Sequence, residues 1–200
     1  MTELLGADDP ALGPATEVAL ALAALAELDT TDPAALRARR DVVRMIEGRV
    51  GAADRTTRPG HLTGSAFVVD AAGDRFVLLF HAKLRRWLQP GGHADGDTNL
   101  AAVALREATE ETGIAGLRVD PVPIDVDVHE VRPPKEDAHL HLDVRFLVVA
   151  PDGAVLAGNH ESTELRWVGW DELRSYDVDA GLVRLAAAAR RRLVERGTGS

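Results

Sequence analysis

The chain has 200 residues, of which 46% are apolar and 28% charged, a balance that suits one folded domain with a small extension and argues against wholesale disorder. Thirty-two acidic against twenty-three basic side chains leave a formal charge of −9, which disfavours a broad nucleic-acid footprint or an anionic membrane surface but admits an anionic substrate bridged by a divalent cation. Cysteine is absent, which removes disulfide scaffolds, thiolate metal sites and cysteine nucleophiles.

In chain order, residues 1–13 carry no periodicity and are expected to be flexible. Their acidic start has no secretory pattern, and the longest apolar stretch, Val18 to Ala26, is far short of a bilayer span, so a cytoplasmic protein is expected. The Ala- and Leu-rich run from Pro14 to Leu28 predicts a helix. Asp32 as cap and Pro33 in the first turn then open a second helix through Leu36, Val42, Val43 and Ile46. This helical hairpin, 14–52, has apolar stripes too thin for a core of its own and must lean on something else. From residue 58 to 196 the pattern becomes that of a mixed α/β domain. Strands are predicted at Leu62 to Asp70 and Arg75 to His81, joined by the turn Ala71-Ala72-Gly73-Asp74. A Gly-rich loop at Pro90-Gly91-Gly92 leads to a helix from about Asn99 to Thr112, stopped by Gly113. Alternating strands follow at Val122 to Val131 and His139 to Ala150, then a short strand at Glu164 to Val168 and an amphipathic helix over Val178 to Val194.

The chemistry concentrates in Arg106-Glu107-Ala108-Thr109-Glu110-Glu111-Thr112-Gly113. On a helix, Glu107, Glu110 and Glu111 stand at i, i+3 and i+4, so three carboxylates crowd within about a turn. Near a helix C-terminus the macrodipole already disfavours negative charge, so stability alone does not select this set. A hard divalent cation relieves the repulsion, because Mg²⁺ or Mn²⁺ prefers carboxylate oxygens and keeps positions for water and phosphate. Arg106, four residues before Glu110, can orient or partly neutralise the cluster. The plainer alternative is a solvated acidic face.

Wider spacing separates these alternatives. The segment Gly92-x5-Thr98-x7-Arg106-Glu107-Ala108-x-Glu110-Glu111-x-Gly113-Ile114 resembles the Nudix box, G-x5-E-x7-R-E-U-x-E-E-x-G-U, at every fixed position but one. The exception is Thr98, where the first glutamate is usual; a Thr there can act as N-cap of the helix. The resemblance spans about His61 to Val194. It implies an α/β/α sandwich with a mixed sheet, here preceded by the N-terminal helical hairpin, and hydrolysis of a nucleoside diphosphate joined to another moiety with Mg²⁺ or Mn²⁺ as cofactor. By the same resemblance, Glu107 and Glu111 are metal ligands, Glu110 is a third or water-bridged ligand, Arg106 holds a glutamate in place, and a carbonyl at Gly91 or Gly92 completes the metal shell. Either Glu107 or a glutamate of a later loop, Glu161 or Glu164, would act as base.

Other candidates come with plain alternatives. On the strand from His139, the residues His139, His141, Asp143 and Arg145 share one face, and Asp125, Asp127 and His129 share a face of its neighbour. These could form a substrate wall or second metal shell, with His141 and Asp143 as candidates, or a solvated sheet face. Arg132-Pro133-Pro134-Lys135 and Lys83, Arg85 and Arg86 offer local positive charge to phosphate, with Arg86 and Arg132 as candidate binders, and Trp87 could stack on a base or simply pack. His93, after two glycines, is a further candidate binder; it also matches a Gly-His of the isopentenyl-diphosphate isomerases, but the cysteine those enzymes place just before it is Gly91 here. The expected partner is a nucleotide-like small molecule, and the hairpin could also pack across a homodimer. The competing reading is a non-catalytic Nudix-like module that senses a nucleotide metabolite.

Overall fold

The computed structural model describes residues 2–82, 84–133, 136–158 and 162–197. Its strands are β1 (Leu5–Gly6), β2 (Gly60–Val69), β3 (Arg75–His81), β4 (Arg86–Leu88), β5 (Gly91–His93), β6 (Arg118–Val131), β7 (His139–Val149) and β8 (Ser162–Gly169). Its helices are α1 (Val18–Glu27), α2 (Pro33–Ile46), α3 (Leu100–Thr112) and α4 (Ala180–Arg196). The sheet runs β1-β6-β7-β2-β3-β4, with β5 also on β2 and β8 on β3. Strands β2 and β7 pair in parallel over ten residues, from Gly60 beside Leu140 to Val69 beside Val149, whereas β6 and β7 form an antiparallel pair.

Alternation along β2 divides the core in two, because neighbouring side chains leave a strand on opposite faces. Leu62, Ala66 and Val68 join Val126, Val144, Phe146 and the apolar sides of α1, α2 and α3. Phe67 and Val69 join Phe76, Leu78, Leu147 and Val168 beneath Leu182, Leu185, Ala189 and Leu193 of α4. This is an α/β/α sandwich around a mixed sheet. Leu25 of α1 and Val42 and Ile46 of α2 are fully buried in the first layer, which is the support that the N-terminal hairpin needs. Each such side chain contributes about 1.5–3 kcal/mol by leaving water.

Three expectations are corrected. Residues 2–13 are not free of the fold: Leu5 and Gly6 pair with Val119 and Arg118 of β6, and Leu12 is buried. A two-residue strand and a single anchor leave no period to read. Strand β6 starts at Arg118, earlier than Val122, through two register shifts around Pro123; the prolines lack a donor and read as breaks. The cap of α3 is Asn99, whose side chain accepts from the Ala102 amide, and not Thr98. Thr98 is 2% exposed and hydrogen-bonds the N-terminal segment, its amide to the Ala15 carbonyl and its hydroxyl to that of Glu17. With Asp97 accepting from the Ala15 amide and Asn99 donating to the Ala11 and Gly13 carbonyls, the start of α3 is strapped to the N-terminal extension.

Candidate active site

Helix α3 lies close on β2 because Gly64 offers no side chain: a Cβ there would stand 2.9 Å from both the Leu100 carbonyl oxygen and Val103 Cγ1. Its inward face is Leu100, Val103, Ala104, Leu105, Ala108 and Thr112, all buried, which turns Glu107 and Glu111 toward strand β5. The helix stops at Gly113, in the left-handed region at φ 67°, and the Ala157 amide caps the Thr112 carbonyl.

The Gly-rich loop is itself a short strand. Gly91, Gly92 and His93 pair antiparallel with Ser65, Gly64 and Thr63. The Gly91 amide donates to Glu111 Oε2 at 2.9 Å. Arg106 donates to the His93 carbonyl at 3.0 Å and to Glu107 Oε1 at 3.0 Å, so one guanidinium ties the loop to the acid. A Cβ on Gly92 would fall 2.2 Å from Glu107 Oε2. Burial pushes the Glu107 carboxyl above its ordinary range, against the pull of Arg106. Glu107 and Glu111 therefore bracket a side-chain-free stretch of backbone, while Glu110 is exposed and lines a shallow groove with Ala7, Leu12, Arg106 and Thr109.

An oxygen-rich cradle of two carboxylates beside open backbone suits a hard divalent cation. The fit rests on Gly92, since any side chain would occupy the space beside the Glu107 oxygens. Gly92→Ala should displace the tip of Glu107 while sparing the fold. We expect a loss of about a hundredfold in kcat, the usual penalty for a displaced catalytic group, with little change in Tm. Unchanged kinetics would remove the Glu107 carboxylate from the chemistry.

The remaining expected site residues are dispersed. Asp143 is 2% exposed and unavailable as a substrate wall: it accepts from the Thr63 and Ser65 hydroxyls and pairs with Arg145 at 2.7 Å. The acids on the polar faces of β6 and β7 are thus satisfied by cations of the protein itself, whereas His141 is half-buried and His129 exposed. Arg145 also contacts Asp125 at 3.1 Å and Asp127 at 3.3 Å, and Arg184 of α4 reaches the same two acids at 2.9 and 2.8 Å. Arg86 is exposed on β4 opposite His81, and Arg132 is exposed and paired with Glu130. Trp87 packs edge-on against Phe80 and Tyr176, with the Arg166 guanidinium 5.4 Å from its ring centre. Glu164 pairs with Arg166. Lys83, Pro134, Lys135 and Glu161 lie outside the described residues.

His93 and His141 do meet, Nε2 to Nε2 at 3.4 Å. Alternation along one strand groups His139 with His141 but does not reach His61. His61 on β2 is fully buried and lies beside His141 in the parallel register, and His139 is 3% exposed. Burial lowers His141 to about 3 and His61 to about 4, helped by the neighbouring rings, so both are uncharged near neutral pH. Among the described residues, the side chains whose ligand atoms converge within 4.8 Å are His61, His139 and His141, not the glutamates. The HLHL alternation was visible in the sequence, but the partner strand that supplies His61 was not.

The sequence profile of the NUDIX domain matches residues 61–188. No curated protein matches the chain by sequence. Among solved structures, an Ap4A hydrolase of C. elegans in a binary complex is similar over 67% of this chain and 98% of its own, at 17% identity and a TM-score of 0.55. A NUDIX-family hydrolase of Clostridium perfringens is similar over 64% and 95%, at 23% identity and a TM-score of 0.51. At these identities the likeness concerns the fold.

Proposed function

This chain belongs to the NUDIX family of hydrolases acting on phosphoric anhydride bonds, and we propose that it uses Mg²⁺ or Mn²⁺ at Glu107 and Glu111 to cleave the diphosphate of a nucleoside diphosphate derivative. One observation carries this reading: two carboxylates flank a backbone stretch where no Cβ fits. Glu110, on the same helix turn, would reach the cation through water. A bound divalent cation supplies charge neutralisation on the diphosphate and a more acidic water.

The protein's own groups do the rest. Arg106 keeps Glu107 against the loop and shares its donors with the His93 carbonyl, so acid and backbone keep a fixed separation. Glu107, held beside the loop by Arg106, is the candidate to take a proton from the attacking water. Glu111 accepts from the Gly91 amide and so sets the height of the loop. The substitution of the first box glutamate by Thr98 leaves the three acids of α3 in place and serves the contact with residues 11–17. We place the hydrolase domain at 58–196 and the helical extension at 14–52.

A product assay over ADP-ribose, dinucleoside polyphosphates, nucleoside triphosphates, sugar nucleotides and coenzyme A tests the proposal. Turnover of at least one, dependent on Mg²⁺ or Mn²⁺ and abolished by chelation, is expected. Binding across the panel without turnover would instead make the chain a nucleotide sensor. No helix among the described residues is long and apolar enough to cross a membrane.

A further inference from the structure

On the opposite side of β5 from Glu107, four histidines from three strands gather: His61 of β2, His93 of β5, and His139 and His141 of β7. Ring centres lie 5.1 Å apart for His61 and His93, 5.0 Å for His61 and His139, and 5.1 Å for His61 and His141. His61 is the anomaly. Both its ring nitrogens are buried with no hydrogen-bond partner, and no other buried side-chain atom among the described residues shares that state. Leaving such groups unmade costs about 1–3 kcal/mol each, a penalty folded proteins seldom carry without a reason.

We propose that His61, His139 and His141 bind a zinc-class divalent cation, with His93 as a fourth ligand, at a site separate from the glutamate cradle. The donors are all imidazole nitrogens, which suit zinc and its first-row neighbours and not Mg²⁺ or Ca²⁺. The ligand atoms of the first three already lie within 4.8 Å of one another. The 3.4 Å between Nε2 of His93 and Nε2 of His141 matches the ligand-to-ligand spacing of a tetrahedral zinc, about 3.3–3.4 Å for bonds near 2.0–2.1 Å. His139 is also already oriented. His139 Nδ1 lies 2.8 Å from the Asp137 carbonyl, so its N–H donates there and Nε2 keeps its lone pair for the cation.

Half-buried His93 and His141 and the exposed His129, 5.4 Å from the His141 ring, give the ion a way in. Once bound, the ion joins β2, β5 and β7 directly behind Gly91 and Gly92. Arg106 bonds the His93 carbonyl, so the ion fixes the strand on which the glutamate cradle depends.

The test is cobalt and zinc binding to the full chain after removal of metal with a chelator. One equivalent of Co²⁺ should give the intense visible band of a four-coordinate site, and one equivalent of zinc should abolish it. His139→Gln and His141→Gln should each weaken binding at least tenfold, while the Glu107→Gln/Glu111→Gln pair leaves the band unchanged. His61→Gln should act the same way; because that residue is fully buried, the wild-type titration decides the matter if the variant does not fold. No band in the wild type, a weak six-coordinate spectrum, or a band lost with the glutamates and kept without the histidines would each overturn the proposal. Because the readout is spectroscopic, it is independent of whether the chain hydrolyses a diphosphate.

Discussion

Glu111→Gln should lower kcat by about 10²–10⁴-fold, the range for loss of a group acting in proton transfer or holding the catalytic ion, without unfolding the protein. The amide keeps the shape of the side chain and can still accept from the Gly91 amide, so the loop retains its support. A second consequence separates this from simple damage. Glu107 and Glu111 stand one turn apart, and like charges so placed repel. Without divalent cation the variant should therefore melt at the wild-type temperature or slightly above it. With Mg²⁺ or Mn²⁺ the wild type should gain stability by mass action and the variant should gain much less. Thermal melts with and without cation, beside steady-state rates, read both effects. Near-normal turnover, or an unchanged cation-dependent gain, would place the metal elsewhere.

The largest effect on stability is expected at Arg145. Its guanidinium is 5% exposed and sits among Asp143, Asp125 and Asp127, with Arg184 sharing the last two and His129 beside Asp127. Desolvation would lower the guanidinium's proton affinity, yet the three acids, Asp143 foremost, hold it above its ordinary value, so it stays charged. Arg145→Met keeps much of the volume and removes the charge, which strands buried carboxylates. Breaking a buried pair from one side costs about 3–5 kcal/mol. For a chain of this size that is a fall in Tm on the order of 10 °C. Arg145→Met combined with Asp143→Leu should recover part of the loss, because no carboxylate then remains opposite the missing cation at that position. Denaturation of the single and double variants measures it. A single-variant loss below about 1 kcal/mol would show that water reaches the network.

Much of the layout was legible because it rests on local patterns. The three glutamates, Arg106, and the stop at Gly113 follow from helical spacing, and the Asp32–Pro33 start of α2 is confirmed by Asp32 accepting from the Ala34 and Ala35 amides. What was not legible depends on residues far apart in the chain. Asp143 looked like a binding residue because its strand alternates, and only the fold shows Arg145, Thr63 and Ser65 satisfying it. Thr98 looked like a cap, and only the packing of residues 11–17 shows another use. The two glycines of β5 read as loop because glycine is rare in strands, whereas here the missing side chains make room for Ser65 on one side and Glu107 on the other. His61 shared no motif with His139 and His141, and the parallel register of β2 and β7 brings them together.

Anomalous diffraction from a crystal of the full chain soaked in Mn²⁺ puts the acidic cradle to its most direct trial. A manganese peak between Glu107, Glu111 and the Gly91–Gly92 backbone is the predicted result. A map with no peak there, or with manganese only among the histidines, would contradict it.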